Sequence, residues 1–308
     1  MTAVREGNAE EMRALLENGA DIEGRGRRGW TPLFTAVFMH RERTVGLLLE
    51  HAADVSFRNE EGATPLHVAP TYRGGEAIVR LLVGKGADVS AKTTSDEIPE
   101  EPRAGSTPLH FAAGCGDEGS ARLLLAHGAD VSTKTKVGVT PLHVACNNNK
   151  GGVVRILLED GADVTAKTNG VGCFPLYPEG ATPLHAAADS FEETLQVTRQ
   201  LLEKGADVGA QTTEGDTALH LAARRGRVET VRLLLEHWAD ASAKNSAGCT
   251  PRSGSTRQIV EMLKAGDYAA LQRDKCMAFA MGQHERLGAG SWVQILEPGV
   301  VRMVLEQV

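Results

Sequence analysis

Aromatic residues and long apolar runs are both scarce in this chain of 308 residues. Phe, Trp and Tyr together make up 4% of it, and no apolar run approaches the roughly 18 residues that a membrane-spanning helix needs. Positive charge is also in deficit, with a net charge of −7, which argues against nonspecific binding to nucleic acid or to an anionic membrane. The first residues, MTAVREGNAEEMR, are polar and acidic. We therefore expect no secretory or transit peptide, no membrane insertion and no nucleic-acid partner.

Cysteine is scarce as well, and its spacing carries no paired motif. The five cysteines, none of which belongs to a C-x-x-C pair, are Cys115, Cys146, Cys173, Cys249 and Cys276. An odd number without paired spacing argues against a disulfide framework and a zinc site. We expect reduced thiols, those of Cys115 and Cys146 in the core, and a cytoplasmic protein, with a nuclear location left open. The motifs G-x-S-x-G and H-E-x-x-H and the Walker loop are missing too, so the sequence predicts no catalytic residue, metal ligand or cofactor.

A recurring phrase, opened by a threonine after Gly-x, occupies most of the chain. Its positions are Thr31, Thr64, Thr107, Thr140, Thr182, Thr217 and a degraded Thr250. The gaps between these threonines are 33, 43, 33, 42, 35 and 33 residues. A period near 33 indicates a solenoid of small stacked units instead of one closed core, which disfavours most enzyme classes and favours a binding surface.

Each unit carries the signals of two short helices. Thr217 can cap the first helix with its hydroxyl, and in other units Pro follows the threonine at the first helical position, where a missing N–H costs nothing. The stretch VETVRLLLEH then has one apolar stripe, as a second helix requires. Gly-Ala-Asp follows that helix at Gly86, Gly128, Gly161 and Gly205, where glycine supplies a left-handed closing residue.

These residues, G-x-T-P-L-H-x-A-A followed by V-x-x-L-L-x-x-G-A-D-V, resemble the ankyrin repeat over about residues 1–267. The resemblance implies an all-α solenoid of stacked helix-turn-helix repeats with projecting β-hairpin fingers. It also implies structural hydrogen bonds from the motif histidines to the threonine and to neighbouring turn backbone. Those histidines are His67, His110, His143, His185 and His220. Phe34 stands at the equivalent place in one unit, which therefore tolerates the loss of the histidine.

Alignment of the repeats on their shared motif divides the chain into four parts. We assign a partial first unit to residues 1–23, six full units to about 30–240, a degenerate last unit to 250–267 and a helical tail or cap to 268–308. Met1 falls inside a first helix, so the chain either has a minimal N-terminal cap or is truncated upstream. The tail either packs over the last repeat or docks another subunit.

Two units carry nine extra residues each between Gly-Ala-Asp and the next threonine, which lengthens the fingers at 93–106 and 169–181. Loops tolerate insertions at small cost. The second insertion, however, contains Phe174, Leu176 and Tyr177, and exposed apolar side chains invite a partner. We expect that finger either to pack on a neighbour or to bind a ligand protein.

Two local irregularities need separate interpretation. Residues 24–29, GRGRRG, match a nucleotide-binding glycine pattern, but they follow a helix and fill a finger. We interpret their arginines as solvated surface residues, with a local basic tip formed together with Arg41 and Arg43 as the alternative. Trp238 replaces the glycine that closes a second helix, and Ala52 does the same. A side chain there must accept left-handed strain unless the turn changes. We expect Trp238 to pack against the C-terminal tail.

The resemblance implies that partners bind along the finger tips and first-helix faces. Candidate partner-binding residues are those that vary there or sit in the inserted finger: Trp30, Phe38, Met39, Tyr72, Asn147, Asn148, Phe174, Leu176, Tyr177, Asp216, Arg224 and Arg225. We predict a monomeric, non-catalytic protein-interaction scaffold. Two alternatives stay open: a substrate-recognition subunit of a ubiquitin ligase acting through the tail, and a regulatory fragment of a larger ankyrin protein.

The inserted finger yields the first prediction. Deleting residues 170–178 should lower either the affinity for a partner or the stability of the fold, because an apolar finger that neither binds nor packs would gain nothing from its aromatic side chains. Partner affinity and the urea midpoint are measured before and after the deletion. If both stay unchanged, the interpretation is wrong.

Overall fold

The computed structural model describes residues 1–26, 28–71, 74–94, 104–170, 177–253 and 255–264. Its contacts divide the chain into two compact units, Met1–Ala206 and Asp207–Val308. The tail at 268–308, the inserted residues Phe174 and Leu176, and Tyr72 lie outside the described residues. The predictions made for them therefore stay predictions, as does the division of the chain at residue 267.

The helices alternate between a first and a second member of each repeat. The first helices are α1 (Thr2–Glu6), α3 (Pro32–Phe38), α5 (Pro65–Val68, continued by a 3-10 turn at Ala69–Thr71), α7 (Pro108–Cys115), α9 (Pro141–Asn147), α11 (Pro183–Ala188) and α13 (Ala218–Arg225). The second helices are α2 (Ala9–Glu17), α4 (Glu42–Glu50), α6 (Gly75–Gly84), α8 (Glu118–Ala126), α10 (Gly151–Glu159), α12 (Leu195–Glu203), α14 (Val228–Glu236) and α15 (Arg257–Lys264). The all-α solenoid that the sequence predicts is confirmed.

Stacking buries one face of every helix in the unit Met1–Ala206. First helices pack on first helices, from α3 through α11, and second helices pack on second helices, from α2 through α12. The leucine after Thr-Pro is almost wholly buried in each repeat, as at Leu66, Leu109 and Leu142. Val153 and Leu157 are buried in the same way on α10. Each such side chain contributes about 1.5–3 kcal/mol to the stability of the fold when it is taken out of water. A single repeat could not bury these side chains without its neighbours.

The last repeat of the unit Asp207–Val308 keeps only its second helix. Residues 251–253 form a turn where other repeats have a first helix, and α15 follows after a short connection. Ile259 and Leu263 of α15 are buried, and the helix packs on α14. The first helix predicted to be shortened over PRSGST is thus reduced to a turn in the residues described there.

The motif threonine and histidine cap the first helix together. In α9, the Thr140 hydroxyl accepts the backbone N–H of His143, at 3.4 Å, and the His143 Nδ1 accepts the backbone N–H of Thr140, at 3.3 Å. The same reciprocal arrangement occurs at Thr64, Thr107, Thr182 and Thr217. It is a capping box in which histidine replaces the usual Glu or Gln, and it satisfies two N–H groups that the helix end leaves unpaired.

In four repeats, those of His67, His110, His143 and His220, the other ring nitrogen of the histidine joins the repeat to the next. Because Nδ1 accepts an N–H, the neutral ring carries its proton on Nε2, which donates to a carbonyl oxygen of the following finger. For His67 that acceptor is Ser106, at 3.2 Å, and for His110 it is Val139, at 3.1 Å. His143 donates to Ala181, also at 3.1 Å. The structural role that the resemblance implies for these histidines is confirmed.

The connections between repeats are tight turns that project as fingers. In one of them, Gly138 donates to the Thr135 carbonyl at 3.0 Å and Thr135 donates to the Val139 carbonyl at 2.9 Å. Hairpin hydrogen bonds are therefore present. The described residues nevertheless contain no β-strand, and their β-pairing is limited to one isolated antiparallel bridge between Gln211 and Thr217. Within the described residues, the fingers are hairpin turns without a β-ladder.

Backbone hydrogen bonds also link neighbouring fingers. The residue before the finger glycine accepts an N–H from the next finger in four places: Thr94 to Glu61, Lys136 to Ala104, Asn169 to Val137, and Ser246 to Glu214, at 2.9 to 3.0 Å. This contact gives a second reason, in addition to the left-handed backbone of the turn, why the Gly-x-Thr position is glycine. At Gly138, φ is +77°, and an added Cβ would lie 2.9 Å from the backbone nitrogen of Asn169.

Both inserted fingers close at their base in the ordinary register. Thr93 donates to the Ser106 carbonyl and Gly105 donates back to Thr93, at 3.0 and 2.8 Å. The pair Thr168 and Ala181 forms the equivalent bond at 3.0 Å, and Gly180 donates to Thr168. The pairing at the base of both insertions is thus the ordinary one, while residues 95–103 and 171–176 lie outside the described residues.

The residues that close the second helices are left-handed. φ is between 81° and 86° at Gly86, Gly128, Gly161 and Gly205, which confirms their predicted role. Trp238 and Ala52 keep the same conformation, with φ of 70° and 61°, so the turn does not change to accommodate a side chain. These two positions bear the left-handed strain, of about 1–2 kcal/mol each. The predicted contact of Trp238 with the tail lies outside the described residues.

Replacing a finger glycine tests the contact between fingers. We expect Gly138→Ala to destabilise the protein by about 1 kcal/mol more than Gly161→Ala, because it forfeits the hydrogen bond of the next finger in addition to left-handed strain. Gly161 is the matched control, since its φ is +86° and a Cβ there meets nothing within 4 Å. Urea denaturation of both variants gives the comparison, and equal losses of stability would contradict it.

The histidines predict a dependence of stability on pH. Burial away from water lowers the pKa of His67, His110 and His143 from 6.5 to about 4. Between these values the unfolded chain binds more protons than the folded one, so the free energy of unfolding falls as the pH drops from about 6.5 to about 4. The expected slope is up to about 1.4 kcal/mol per pH unit for each histidine.

Urea denaturation at pH 7.5 and pH 5 measures this slope. His110→Phe copies the residue found naturally at Phe34 and removes one titrating ring. Its stability is lower at both pH values, because the Thr107 N–H loses its partner and the Val139 carbonyl keeps only the bond from Thr135. Its loss of stability on acidification should nevertheless be smaller than that of the unaltered protein. A variant with the full slope would exclude His110 as a source of the pH dependence.

Candidate functional site

An aromatic cluster occupies the first full repeat. Trp30 lies at the end of the finger, and its ring centroid is 4.9 Å from those of both Phe34 and Phe38, with interplanar angles of 57° and 58°. Phe34 in turn meets Phe57 of the next repeat edge-on at 5.6 Å. Tilted and edge-on pairs of this kind contribute about 0.5–1.5 kcal/mol each beyond the area they bury. Four of the aromatic side chains of a chain poor in them are therefore gathered here.

Local sequence explains how the cluster forms. Phe34 and Phe38 are four residues apart on α3, so they share one face of the helix. Trp30 is held by the finger turn, where Gly26 donates to the Trp30 carbonyl at 3.0 Å and Gly29 to the Gly26 carbonyl at 2.9 Å. Phe34 occupies the place of the motif histidine. The hydrogen bond that would join this repeat to the next is thus replaced by the ring contact with Phe57.

Arginines cover the faces of two of these rings. The Arg28 guanidinium lies 5.2 Å from the Trp30 ring centroid, and that of Arg25 lies 5.4 Å from the centroid of Phe57. Arginine stacks on aromatic faces while keeping its in-plane N–H donors available. Arg25 and Arg28 are exposed to water, as predicted for the finger arginines, and each also stacks on an aromatic ring.

A cleft opens beside the cluster, with a volume of about 400 Å³. Its lining consists of Met1, Arg5, Gly26, Arg28, Trp30, Thr35, Phe38 and Met39. The loop before α4 supports one wall, because Arg41 donates to the Arg5 carbonyl through Nε at 3.1 Å and Nη2 at 3.0 Å. The structure thus brings together three of the predicted candidates, Trp30, Phe38 and Met39.

The finger at this cleft is held less tightly than its neighbours. Glu60 occupies the position from which other fingers donate a backbone N–H to the preceding finger, but among the described residues no such bond reaches Arg28. Consistently, nothing lies within 4 Å of where a Cβ on Gly29 would be placed. In addition to helix packing, these two repeats are joined by the Phe34 and Phe57 rings, by the Arg25 guanidinium over Phe57, and by a hydrogen bond from the Asp54 backbone N–H to the Glu23 side chain at 2.8 Å.

The inserted finger places one candidate elsewhere than expected. Tyr177 was predicted to be exposed, but it is 3% exposed and its ring meets His143 edge-on, with centroids 6.2 Å apart. Tyr177 lies at the base of the finger, against His143 of the first helix α9. Burying its ring there is more favourable than exposing it to water. Of the two alternatives given for this finger, packing on a neighbour describes Tyr177.

Asn147 and Asn148 lie at the end of α9 and differ in exposure. Asn147 is 8% exposed, so little of it is available to a partner, and its Oδ1 has no hydrogen-bond partner in the described part of the chain. Asn148 is half-buried. Among the thiols, Cys146 is buried as predicted, and burial raises its pKa. Cys115, which was predicted to be in the core, is exposed near the end of α7.

Three candidates lie in the unit Asp207–Val308. Asp216 is buried, accepts a hydrogen bond from the Asn245 side chain at 2.7 Å, and lies 3.4 Å from the Arg224 guanidinium. It therefore fixes the following finger and offers little surface to a partner. Arg224 is exposed on α13 and Arg225 is half-buried. The sequence did not reveal this role, because Asn245 is 29 residues away.

Within the part of the chain that the structure describes, no His, Cys, Asp and Glu side chains cluster in a group of three that could hold a metal ion. The same part contains no helix long and apolar enough to cross a membrane. The sequence prediction missed Arg28 and Thr35 as cleft residues. For Arg28 the available signal was its place two residues before Trp30, across a glycine turn.

Comparisons with known proteins agree with this architecture. A family model described as ankyrin repeats in three copies matches residues 1–93, 95–168 and 169–251. The chain is 35% identical over 79 residues to the potassium channel AKT1 of Oryza sativa subsp. indica, a match that covers 26% of this chain and 8% of the channel. The chain therefore spans a small part of that relative's length.

Two solved structures are similar over a larger share. The human ASB11 ankyrin repeat domain has a TM-score of 0.61 and 26% identity, covering 76% of this chain and 96% of that domain. The ankyrin repeat domain of Bcl-3, described as a unique member of the IkappaB protein family, has a TM-score of 0.58 and 31% identity, covering 78% of this chain and all of that domain. With the family model matching most of its length and the capped, histidine-linked repeats in place, the chain belongs to the ankyrin repeat family.

Proposed function

We propose that this protein is a non-catalytic interaction scaffold that binds a partner protein along its fingers and first helices, with its main contact at the N-terminal cleft. The observation that carries the proposal is the gathering of Trp30, Phe38, Met39 and two arginines around one open cleft. Trp and Arg are among the residues that dominate binding energy in protein interfaces. Ankyrin repeats as a class are protein-interaction modules, which supports the same conclusion.

The burial of the repeated motif residues also supports a non-catalytic role. In His67, His110 and His143, both ring nitrogens are engaged in hydrogen bonds within the scaffold. Such rings are unavailable as general bases, because neither nitrogen faces a substrate. Binding would then rest on rigid presentation of side chains. We extend the proposal to a monomer in the cytoplasm or nucleus, which sedimentation and cell fractionation would test.

Site-specific photocrosslinking in cells tests the proposed surface. Benzoylphenylalanine replaces Met39 in the cleft or, as the control, Leu15 on α2; the two side chains are matched at 39% and 40% exposure. We expect Met39→benzoylphenylalanine to capture a discrete partner protein that Leu15→benzoylphenylalanine does not. Trp30→Ala should weaken binding of that partner about tenfold or more, as expected of an interface anchor.

Folding of each variant is verified by its urea midpoint before the comparison is made. Equal capture from positions 39 and 15, or no capture from position 39, would contradict the proposal. A captured partner whose affinity is untouched by Trp30→Ala would move the binding surface away from the cleft.

A further inference from the structure

We infer that the N-terminal cleft binds an acidic segment of its partner, with one large apolar side chain inserted between Trp30, Phe38 and Met39 and carboxylates held by Arg5 and Arg28. This inference rests on the proposed function and adds the chemistry of the ligand. It concerns one cleft and not the whole length of the fingers.

The apolar component follows from the shape and lining of the cleft. Its volume of about 400 Å³ falls at the lower end of the range for ligand pockets, roughly 300–1,000 Å³. Trp30 and Phe38 are half-buried and Met39 is 39% exposed, so their apolar surface is open to water in the free protein. Covering that surface with a leucine or aromatic side chain would release about 25 cal/mol for each Å² buried.

The acidic component follows from unpaired positive charge. Among the described residues, the side chains of Arg5, Arg25 and Arg28 have no carboxylate within ion-pair distance. Residues 24–43 contain five arginines and one glutamate, in a chain whose net charge is −7. The cleft lining includes two arginines and no acidic residue. The arginines of the cleft lining therefore attract an acidic ligand, which the net charge of the whole chain otherwise disfavours.

The geometry of Arg28 favours a carboxylate in particular. Its guanidinium already lies over the Trp30 ring, which limits its motion before a ligand arrives. A guanidinium held in this way can present two parallel N–H donors, the arrangement that matches the two oxygens of a carboxylate. Less side-chain entropy is then lost on binding than for a freely moving lysine.

Two other ligand classes fit less well. A methylated ammonium group binds aromatic faces, but Arg28 lies over Trp30 and Arg25 over Phe57, so a second cation would meet repulsion at those rings. A single-stranded nucleic acid could stack a base in the cleft, yet its further phosphates would meet a protein with a net charge of −7. Both classes are included in the test.

Selection from short random peptides displayed on phage tests the inference with the full chain as bait. We expect the enriched peptides to carry Leu, Phe, Met or Trp next to Asp or Glu. An enriched peptide is then synthesised, labelled and titrated by fluorescence anisotropy. Arg28→Glu and Arg5→Glu should each weaken its affinity about tenfold, as charge reversal at a contact does. Arg122→Glu, an exposed arginine of α8 outside the cleft, should leave the affinity within about twofold.

A charge-swapped pair strengthens the test. The same peptide with lysines in place of its acidic residues should bind Arg28→Glu more tightly than it binds the unaltered protein. Arg5 and Arg28 are exposed, so we expect Arg5→Glu and Arg28→Glu to keep the fold. Urea midpoints equal to that of the unaltered protein verify this. Met39→Ala provides a second, uncharged variant, and we expect it to weaken the binding of the acidic peptide through loss of apolar contact.

Several results would overturn the inference. These are the absence of any enriched peptide, enrichment of basic or neutral peptides, equal effects of Arg28→Glu and Arg122→Glu, and displacement of the peptide by a trimethyl-lysine peptide or a single-stranded oligonucleotide. The proposed function fails separately. If photocrosslinking at position 39 captures a partner while the peptides prove basic or neutral, the scaffold function stands and the acidic ligand does not.

Discussion

The buried histidine at the start of five of the first helices makes the interaction on which the array depends. Through Nδ1 it completes the cap of its own helix, and through Nε2 it reaches the carbonyl of the next finger, as His110 does toward Val139. One side chain thus fixes both the local fold of a repeat and its register against its neighbour. Each such bond contributes only about 0.5–1.5 kcal/mol net, but leaving its buried partners unsatisfied would cost more. The histidines are therefore scaffold, in spite of looking like a catalytic or metal-binding row.

The candidate site lies where this scaffold is interrupted. Phe34 replaces the histidine, and the space that a polar network occupies elsewhere is filled by the rings of Trp30, Phe38 and Phe57. Aromatic side chains are costly to leave exposed, and here Trp30 and Phe38 remain half-buried beside arginines. The repeat that departs from the pattern is therefore also the repeat in which aromatic and arginine side chains are concentrated. Side chains that do not have to hold the scaffold together there are available for binding.

Periodic features could be predicted from the sequence because every repeat places them in the same surroundings. Thr107 and His110 cap a helix for the same local reason as Thr140 and His143. Side chains outside the period behaved differently. Tyr177 turns inward onto His143, Asp216 secures Asn245, and Arg28 stacks on Trp30. Each depends on a contact that recurs in no other repeat, so no internal comparison could reveal it.

The missing backbone bond between the first full finger and its successor has a thermodynamic consequence. In four other places, moving a finger breaks a backbone hydrogen bond to its neighbour. Apart from helix packing, the described contacts between the finger carrying Arg25, Arg28 and Trp30 and the next repeat are ring contacts, the Arg25 guanidinium over Phe57 and one hydrogen bond to a side chain. Ring contacts tolerate sliding and rotation that a directional bond does not. A partner that binds the proposed cleft would therefore also raise the resistance of the N-terminal repeats to unfolding, because it binds the folded state alone.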